Sequence, residues 1–164
     1  MSILKILTAP NEKLKVVANV VTNVQSIQIL IDDMLETMYD DDGAIGLAAT
    51  QVGRTEAVVV IDISETRDEP LILVNPKVVA GELIEKGSEG CLSVPGFRAD
   101  VERFTKVRVE ALDRNGEKIT IESDDFLAIV MQHEIDHLKG KLFIDYLSPL
   151  KKSIALKKVK KFFG

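Results

Sequence analysis

Residues 126–139 limit most strongly how this chain can fold, because their helical pattern is apolar on two faces. A helix that is apolar nearly all round must be buried in the middle of a domain. Ser123-Asp124-Asp125 predicts its N-terminal cap and Gly140 predicts its end. One apolar stripe consists of Leu127, Met131, Ile135 and Leu138; the other consists of Phe126, Ile129 and Val130 and continues into His133 and His137.

Strand patterns precede this helix, which indicates an α+β fold. An Asn-Gly pair at Asn115-Gly116 lies between two alternating stretches and predicts a hairpin. Turn-forming residues predict a loop over 88–98. We therefore expect mainly antiparallel sheets packed around the central helix. The predicted strands are residues 57–63, 71–76, 77–87, 101–113 and 117–123, and further helices are expected over 24–39 and from Ser148-Pro149 towards Phe163.

Composition and charge narrow the class of protein. A chain of 164 residues with 46% hydrophobic and 29% charged residues is expected to be a single domain spanning 1–164. The longest apolar run has six residues and the N-terminus resembles no secretion signal, so we expect no membrane span and a cytoplasmic protein. One cysteine fits a reducing compartment, and a net charge of −5 argues against a surface that binds nucleic acid throughout.

The motif HEIDH at residues 133–137 is the sharpest chemical signal in the chain. Positions four apart on a helix share a face, so both imidazoles can meet one metal ion. Glu134 follows the first histidine and can reach a metal-bound water. The alternative is a helix with two buried core histidines that serve only packing. The chain has only two histidines, and two placed at random would rarely fall four positions apart with a glutamate after the first. We therefore favour a metal site.

A third ligand is needed, because catalytic zinc-type sites use three protein ligands and a water. Downstream of His137 there is no further histidine and the only acid is Asp145. Upstream, the single cysteine, Cys91, follows Gly90, where backbone can approach closely. A thiolate is a strong ligand for a borderline cation. We favour ligation by Cys91 over the alternative of a buried structural cysteine.

Three stretches together resemble the motifs of the peptide deformylases: GAIGLAATQ at 43–51, EGCLS at 89–93 and QHEIDH at 132–137. The resemblance implies that Cys91, His133 and His137 bind one divalent metal ion per chain, Fe²⁺ in the first place, with Zn²⁺, Ni²⁺ or Co²⁺ as alternatives. It implies that metal-bound water attacks the formyl group of an N-terminal formylmethionine, releasing formate. Glu134 would be the general base and acid.

The same resemblance implies roles for residues around the metal. The side-chain amide of Gln51 and the backbone N–H of Leu92 would stabilise the oxyanion. From the sequence alone, the favoured interpretation of Gln51 is an ordinary residue that makes hydrogen bonds between a loop and a strand. The first motif departs from the family at Ala44, where a glycine is usual. The expected substrate-binding residues are Ile45, Gly46, Arg98, Phe126, Ile129 and Val130, and Glu89 and Arg103 could form an ion pair behind Cys91.

Partners follow from the same resemblance. The substrate would be nascent peptides that begin with N-formylmethionine, and we expect a monomer. Six lysines lie between Lys151 and Lys161 in the predicted C-terminal helix. They could form a solvated helix face or a basic contact to ribosomal RNA.

Three other functions stay open at this stage. A cysteine hydrolase would use Cys91 as nucleophile and would be insensitive to chelators. A non-enzymatic domain would hold a closed structural metal with Asp136 or Asp145 as fourth ligand. A peptidase of the usual HExxH type would cut internal peptide bonds.

Overall fold

The computed structural model describes residues 2–163, and within this range five strands form one antiparallel sheet in their sequence order, β1-β2-β3-β4-β5. Three α-helices accompany the sheet in the same range, which confirms the predicted α+β class. The strands are β1 Gly46–Ala48, β2 Val58–Ile61, β3 Leu71–Cys91, β4 Val94–Leu112 and β5 Lys118–Ser123; the helices are α1 Gln28–Asp40, α2 Phe126–Leu138 and α3 Pro149–Phe163. Short 3₁₀ turns lie at Glu12–Lys15, Val24–Ile27, Ala49–Val52 and Phe143–Tyr146.

The sheet separates two helices, and β2 is buried on both of its faces. Val59 and Ile61 pack in the cluster that contains α2, whereas Val58 and Val60 pack in the cluster that contains α1. Successive side chains of a strand point to opposite faces, so a strand covered on both sides is apolar throughout. This explains the uninterrupted apolar run that predicted the strand.

The central helix α2 is buried as predicted over most of its length. Asp125 caps it by accepting a hydrogen bond from the Leu127 N–H at 3.0 Å. Gly140 follows its end with φ of 77°, a left-handed conformation that glycine adopts without strain. Phe126 differs from the expectation for a core residue, because its side chain is 56% exposed. The first turn of α2 therefore reaches the surface.

The prediction of two strands at 71–76 and 77–87 was wrong, because β3 continues through both stretches. The pairing of β3 with β4 shifts in register between Val74 and Lys77, and Pro76 lies within this irregularity. Asn75, the residue before Pro76, has φ of 52°, and its side chain ties the irregularity to the N-terminal segment. Its side chain accepts from the Val21 N–H at 2.8 Å and donates to the Val21 carbonyl at 2.9 Å.

The predicted loop over 88–98 was also wrong, because β3 and β4 extend into it from both sides. Cys91 pairs with Val94, which leaves Leu92 and Ser93 as the whole connection between the two strands. Turn-forming residues are accommodated here by a further register irregularity between Glu89 and Cys91. Cys91 is thus held at the end of a long hairpin rather than on a loose loop.

The remaining predicted elements agree with the structure. The hairpin around Asn115-Gly116 joins β4 to β5, with Gly116 at φ of 86°. The first helix begins as a 3₁₀ turn before α1, and α3 begins at Pro149. Between residues 2 and 163, no helix combines the length and apolarity needed to cross a bilayer.

Candidate metal centre

Two histidines and one cysteine bring their ligand atoms together where α2 faces the end of β3. The Nε2 atoms of His133 and His137 are 3.3 Å apart. The Sγ of Cys91 lies 3.4 Å from His137 Nε2, and the three ligand atoms all lie within 4.8 Å of one another. A tetrahedral ion with metal–nitrogen bonds of about 2.0 Å holds its nitrogens roughly 3.3 Å apart. The three side chains are therefore placed as one ion requires.

Glu89 fixes the orientation of His133. Its Oε1 accepts a hydrogen bond from His133 Nδ1 at 2.9 Å, which turns Nε2 towards the other two ligand atoms. Arg103 binds both oxygens of the same carboxylate, through Nε at 2.8 Å and Nη2 at 2.9 Å. The predicted ion pair between Glu89 and Arg103 is thus present and buried.

Arg103 also binds a second carboxylate, that of Asp136. Arg103 Nη1 donates to Asp136 Oδ2 at 2.5 Å, and the Tyr146 hydroxyl donates to the same oxygen at 2.7 Å. The guanidinium also lies 5.2 Å from the centre of the Tyr146 ring. Arg103 therefore links β4 to Glu89 on β3 and to Asp136 on α2, and these two acids balance its charge.

Burial sets the protonation of these groups. Burial opposes the ionisation of Glu89, but hydrogen bonds from Arg103 and His133 outweigh it and lower its pKa to about 2. Burial, together with the charge of His133, holds the pKa of His137 well below its ordinary value. His137 is thus neutral and able to donate its lone pair to a cation.

Glu134 is buried beside the three ligands and is not one of them. Burial raises the pKa of this carboxyl to about 7, and the neighbouring charge of His133 opposes the rise. Its Oε1 is buried without a hydrogen-bond partner among residues 2–163. Gly46 faces the other oxygen so closely that a Cβ on residue 46 would lie 2.5 Å from Glu134 Oε2. A carboxyl that titrates near neutrality is suited to taking and returning a proton.

Gln51 is held with its amide N–H groups towards Cys91. Its Oε1 accepts from the Ala48 N–H at 2.9 Å, which fixes the amide orientation. Its Nε2 then faces Cys91 Sγ at 3.6 Å and donates to the Ser93 hydroxyl at 3.0 Å. Ser93 also donates its backbone N–H to Cys91 Sγ at 3.4 Å. The amide nitrogen of Gln51 therefore points towards Cys91 at the candidate site.

A pocket of about 630 Å³ opens beside these residues. His133 and Glu134 lie on its wall with Cys91 and Leu92. The volume is in the range of small-ligand sites. The structure brings every predicted substrate-binding residue to this pocket: Ile45, Gly46, Arg98, Phe126, Ile129 and Val130.

Two of the residues around the pocket need comment. Arg98 was expected to meet a substrate backbone, and here its Nε and Nη2 both donate to Ser88, each at 3.2 Å. It covers Gly90, where a Cβ would lie 2.7 Å from Arg98 Nη1. Ala44 is buried in the cluster that contains α1, and its N–H bonds to the Asp41 carbonyl at 3.2 Å. The methyl group at this departure from the family motif thus packs in the core.

Sequence reasoning missed Ser93 and the Asp136–Tyr146 contact. Ser93 belongs to the EGCLS stretch, so its nearness to Cys91 could have suggested a role. Asp136 lies inside HEIDH, but nothing in the sequence indicates that Tyr146 and Arg103 share its carboxylate. Such contacts depend on how β4 and the turn after α2 come together.

Comparisons with known proteins agree on one family. Residues 3–153 match the family model described as polypeptide deformylase. "Peptide deformylase 2" of Vibrio parahaemolyticus serotype O3:K6 is 68% identical over 162 residues, which cover 99% of this chain and 96% of the relative.

Solved structures give the same result. A peptide deformylase from Legionella pneumophila superposes with a TM-score of 0.94 at 46% identity, over 98% of this chain and 95% of that one. A peptide deformylase from Ehrlichia chaffeensis in complex with actinonin superposes with a TM-score of 0.93 at 40% identity, over 99% and 98% of the two chains.

Proposed function

This chain belongs to the peptide deformylase family and is a metal-dependent deformylase, and we propose that Cys91, His133 and His137 hold its metal ion while Glu134 carries the proton. The substrate is an N-terminal formylmethionine on a newly made polypeptide, and the products are formate and a free N-terminus. The observation that carries this proposal is the convergence of the three ligand atoms within 4.8 Å of one another, beside a buried carboxyl in a pocket.

The donor set fits one divalent cation. Glu89 accepts the Nδ1–H of His133, and burial keeps His137 neutral, so both imidazoles offer Nε2 towards Cys91. When bound, the cation supplies Lewis acidity that activates a water molecule and polarises the formyl carbonyl. One thiolate and two imidazoles accept Fe²⁺, Zn²⁺, Ni²⁺ or Co²⁺. The resemblance to the deformylases favours Fe²⁺ in the cell.

Glu134 carries the proton between water and the leaving amine. Its carboxylate accepts a proton from the attacking water, and its carboxylic acid then gives that proton to the amine as the carbon–nitrogen bond breaks. A pKa raised to about 7 by burial suits both halves of this cycle near neutral pH. The side-chain amide of Gln51 and the N–H of Leu92 donate to the oxyanion that develops on the formyl oxygen.

The pocket wall selects the methionine side chain. Ile129 and Val130 lie one turn before His133 on α2, and Ile45 lines the same pocket. An unbranched apolar side chain bound there would present its formyl group to the three ligands. Phe126 forms the outer part of this wall, which accounts for its exposure. Arg98 lies at the rim, where it can leave Ser88 to meet the peptide backbone.

The C-terminal helix supplies a basic contact for the ribosome. Of the six lysines that the sequence places in α3, all but Lys152 are exposed in the range described, and Lys152 pairs with Asp145 at 2.7 Å. Exposed lysines on one helix attract the phosphates of RNA in a salt-dependent way. The protein acts as a monomer in the cytoplasm, where formylated chains emerge.

One assay tests the proposal against its alternatives. Formyl-Met-Ala-Ser is incubated under anaerobic conditions with Fe²⁺-loaded protein and with chelator-treated protein, and formate and free amines are measured. We expect formate release that the chelator abolishes and added Fe²⁺ restores. Chelator-insensitive release would favour a cysteine hydrolase, cleavage of the Met-Ala bond a peptidase, and no activity with a bound metal a structural site.

A further inference from the structure

Arg67 lies in the turn between β2 and β3, outside the pocket, and its side chain reaches the C-terminal end of α1. The guanidinium donates five hydrogen bonds, all to main-chain carbonyl groups, at distances between 2.9 and 3.4 Å. Its positive charge lies at the negative end of the helix, where it is favourable. The accepting carbonyls are those of Met38, Tyr39, Asp41, Asp42 and Ala44.

The turn that carries Arg67 is built to hold it there. Arg67 itself has φ of 56°, a conformation that non-glycine residues rarely adopt. The carboxylate of Asp62 organises the turn by accepting from the backbone N–H groups of Ser64 at 2.9 Å and Glu69 at 3.0 Å. The same carboxylate accepts from the Tyr39 hydroxyl at 2.5 Å, and the guanidinium lies 5.4 Å from the centre of the Tyr39 ring.

The carbonyls bound by Arg67 belong to a segment that leads directly into the pocket. Residues 41–46 follow α1, and all of them except Asp42 line the pocket. Asp62 donates its backbone N–H to the Ile45 carbonyl at 2.9 Å, so the same turn holds the end of this segment as well. Gly46, the last residue, is in close contact with Glu134.

We propose that Arg67 is a positioning residue for deformylation, because it holds residues 41–46 where they form one wall of the substrate pocket. The proposal rests on the assignment of this pocket to the formylated peptide. Without Arg67, three aspartates at 40–42 would remain at the negative end of α1 with no compensating cation on these carbonyls. The segment would shift, and the pocket wall with it.

Loss of Arg67 affects the substrate more than the metal. Cys91 lies on β3 and both histidines lie on α2, so none of the three ligands belongs to the segment that Arg67 binds. A displaced pocket wall weakens peptide binding and raises KM, whereas metal content depends on elements that stay in place. An effect on folding alone would instead lower the amount of active enzyme and leave KM unchanged.

The test compares Arg67→Gln and Arg67→Lys with wild type and with Arg108→Gln. Arg108 pairs with Glu122 on the exposed surface of β4 and β5, so it controls for loss of one arginine. For each metal-loaded enzyme, kcat and KM for formyl-Met-Ala-Ser, metal content, Tm and amide hydrogen exchange of residues 43–48 are measured. Hydrogen exchange measures how firmly this segment is held, and it does so independently of activity.

We expect Arg67→Gln to raise KM about tenfold, with kcat changed less than about threefold, unchanged metal content and faster exchange at 43–48. Arg67→Lys should raise KM less than Arg67→Gln does, because the ammonium keeps the positive charge but has fewer hydrogen-bond donors than the guanidinium. A lower Tm with wild-type KM in both variants would overturn the proposal, and so would a higher KM with unchanged exchange. Absence of formate release by wild type would reject the proposed function instead, and the exchange data would still decide whether Arg67 holds the segment.

Discussion

Gly46 and Glu134 approach each other so closely that the Glu134 carboxylate excludes any side chain at position 46. A Cβ built on Gly46 would lie 2.5 Å from Glu134 Oε2 and 3.0 Å from its carboxyl carbon. The φ of Gly46 is not in the left-handed region, so the reason for glycine here is space and not backbone conformation. β1 therefore lies against the carboxylate of Glu134 with no side chain between them.

Gly46→Ala is expected to displace Glu134 and lower kcat by about 10²-fold, because a misplacement of about 1 Å at a reacting group can have that effect. Metal content should stay at the wild-type value, since the ligands lie elsewhere. Gly87→Ala is the matched control, because a Cβ there meets nothing within 4 Å. Equal kcat for the two variants, measured on metal-loaded enzyme, would contradict the proposed closeness.

Glu134→Gln keeps the size of the side chain but cannot accept a proton. We expect kcat to fall by about 10²–10⁴-fold while the metal remains bound. The measurement is steady-state formate release together with metal analysis of the same sample. A metal-replete variant with wild-type turnover would remove Glu134 from the mechanism.

Cys91→Ala removes one of three converging ligand atoms. We expect bound metal well below one ion per chain and loss of deformylation, because two imidazoles alone form an incomplete site. Ser93→Ala is a control for metal content alone, since it removes the hydroxyl that accepts from Gln51 Nε2 but no metal ligand. Full metal content and full turnover in Cys91→Ala would show that the three-ligand assignment is wrong.

Glu89 is expected to make the metal-free fold sensitive to acid. Its pKa is lowered from 4.5 to about 2 in the folded chain, because the bonds from Arg103 and His133 outweigh its burial. A depressed carboxyl pKa stabilises the fold above pH 4.5, and this stabilisation is lost as pH falls towards about 2. The effect is on the order of 3 kcal/mol.

Urea unfolding of the metal-free protein between pH 6 and about 2 measures this loss. The free energy of unfolding should fall less steeply in Glu89→Gln than in wild type. Glu122→Gln, an exposed carboxylate paired with Arg108, should follow the wild-type curve. Parallel curves for wild type and Glu89→Gln would mean that Glu89 contributes nothing to acid sensitivity.

Substrate choice tests the whole site. Formyl-Met-Ala-Ser should exceed acetyl-Met-Ala-Ser in kcat/KM by a wide margin, because an acetyl methyl must enter the space beside the ligands. It should exceed formyl-Ala-Ala-Ser by about one to two decades, since burying a methionine side chain contributes about 1.5–3 kcal/mol. Comparable rates for the formyl and acetyl peptides on one metal-defined preparation would argue for a broader amidase.

The two histidines could be placed from sequence because their relation is local. Residues four apart on a helix meet on one face whatever surrounds them, and the apolar pattern of α2 predicted the helix. Their closeness to Cys91 followed from the need for a third ligand and from family resemblance. The hairpin that carries Cys91 was not foreseen, since its turn-forming residues also suit an open loop.

The continuity of β3 through Pro76 could not be read from its own residues. Next to Pro76, the side chain of Asn75 bonds to Val21, 54 positions earlier in the chain. The hydrogen bonds of Arg67 are also long-range, because the carbonyl groups that accept them lie more than 20 positions away in the chain. Long-range contacts of this kind leave no periodic pattern in the sequence, so only the folded chain reveals them.

The hairpin of β3 and β4, with its two-residue connection, couples metal binding to complete folding, because it carries Cys91 to the two histidines. An unfolded chain offers only the local HEIDH pair, since Cys91 lies 46 positions from His137. The proposed set of three ligands exists only after the long hairpin has paired and packed against α2. Metal therefore binds the native chain far better than the unfolded one, and its concentration shifts the folding equilibrium by mass action. A cell short of the metal would hold a less stable enzyme as well as an inactive one.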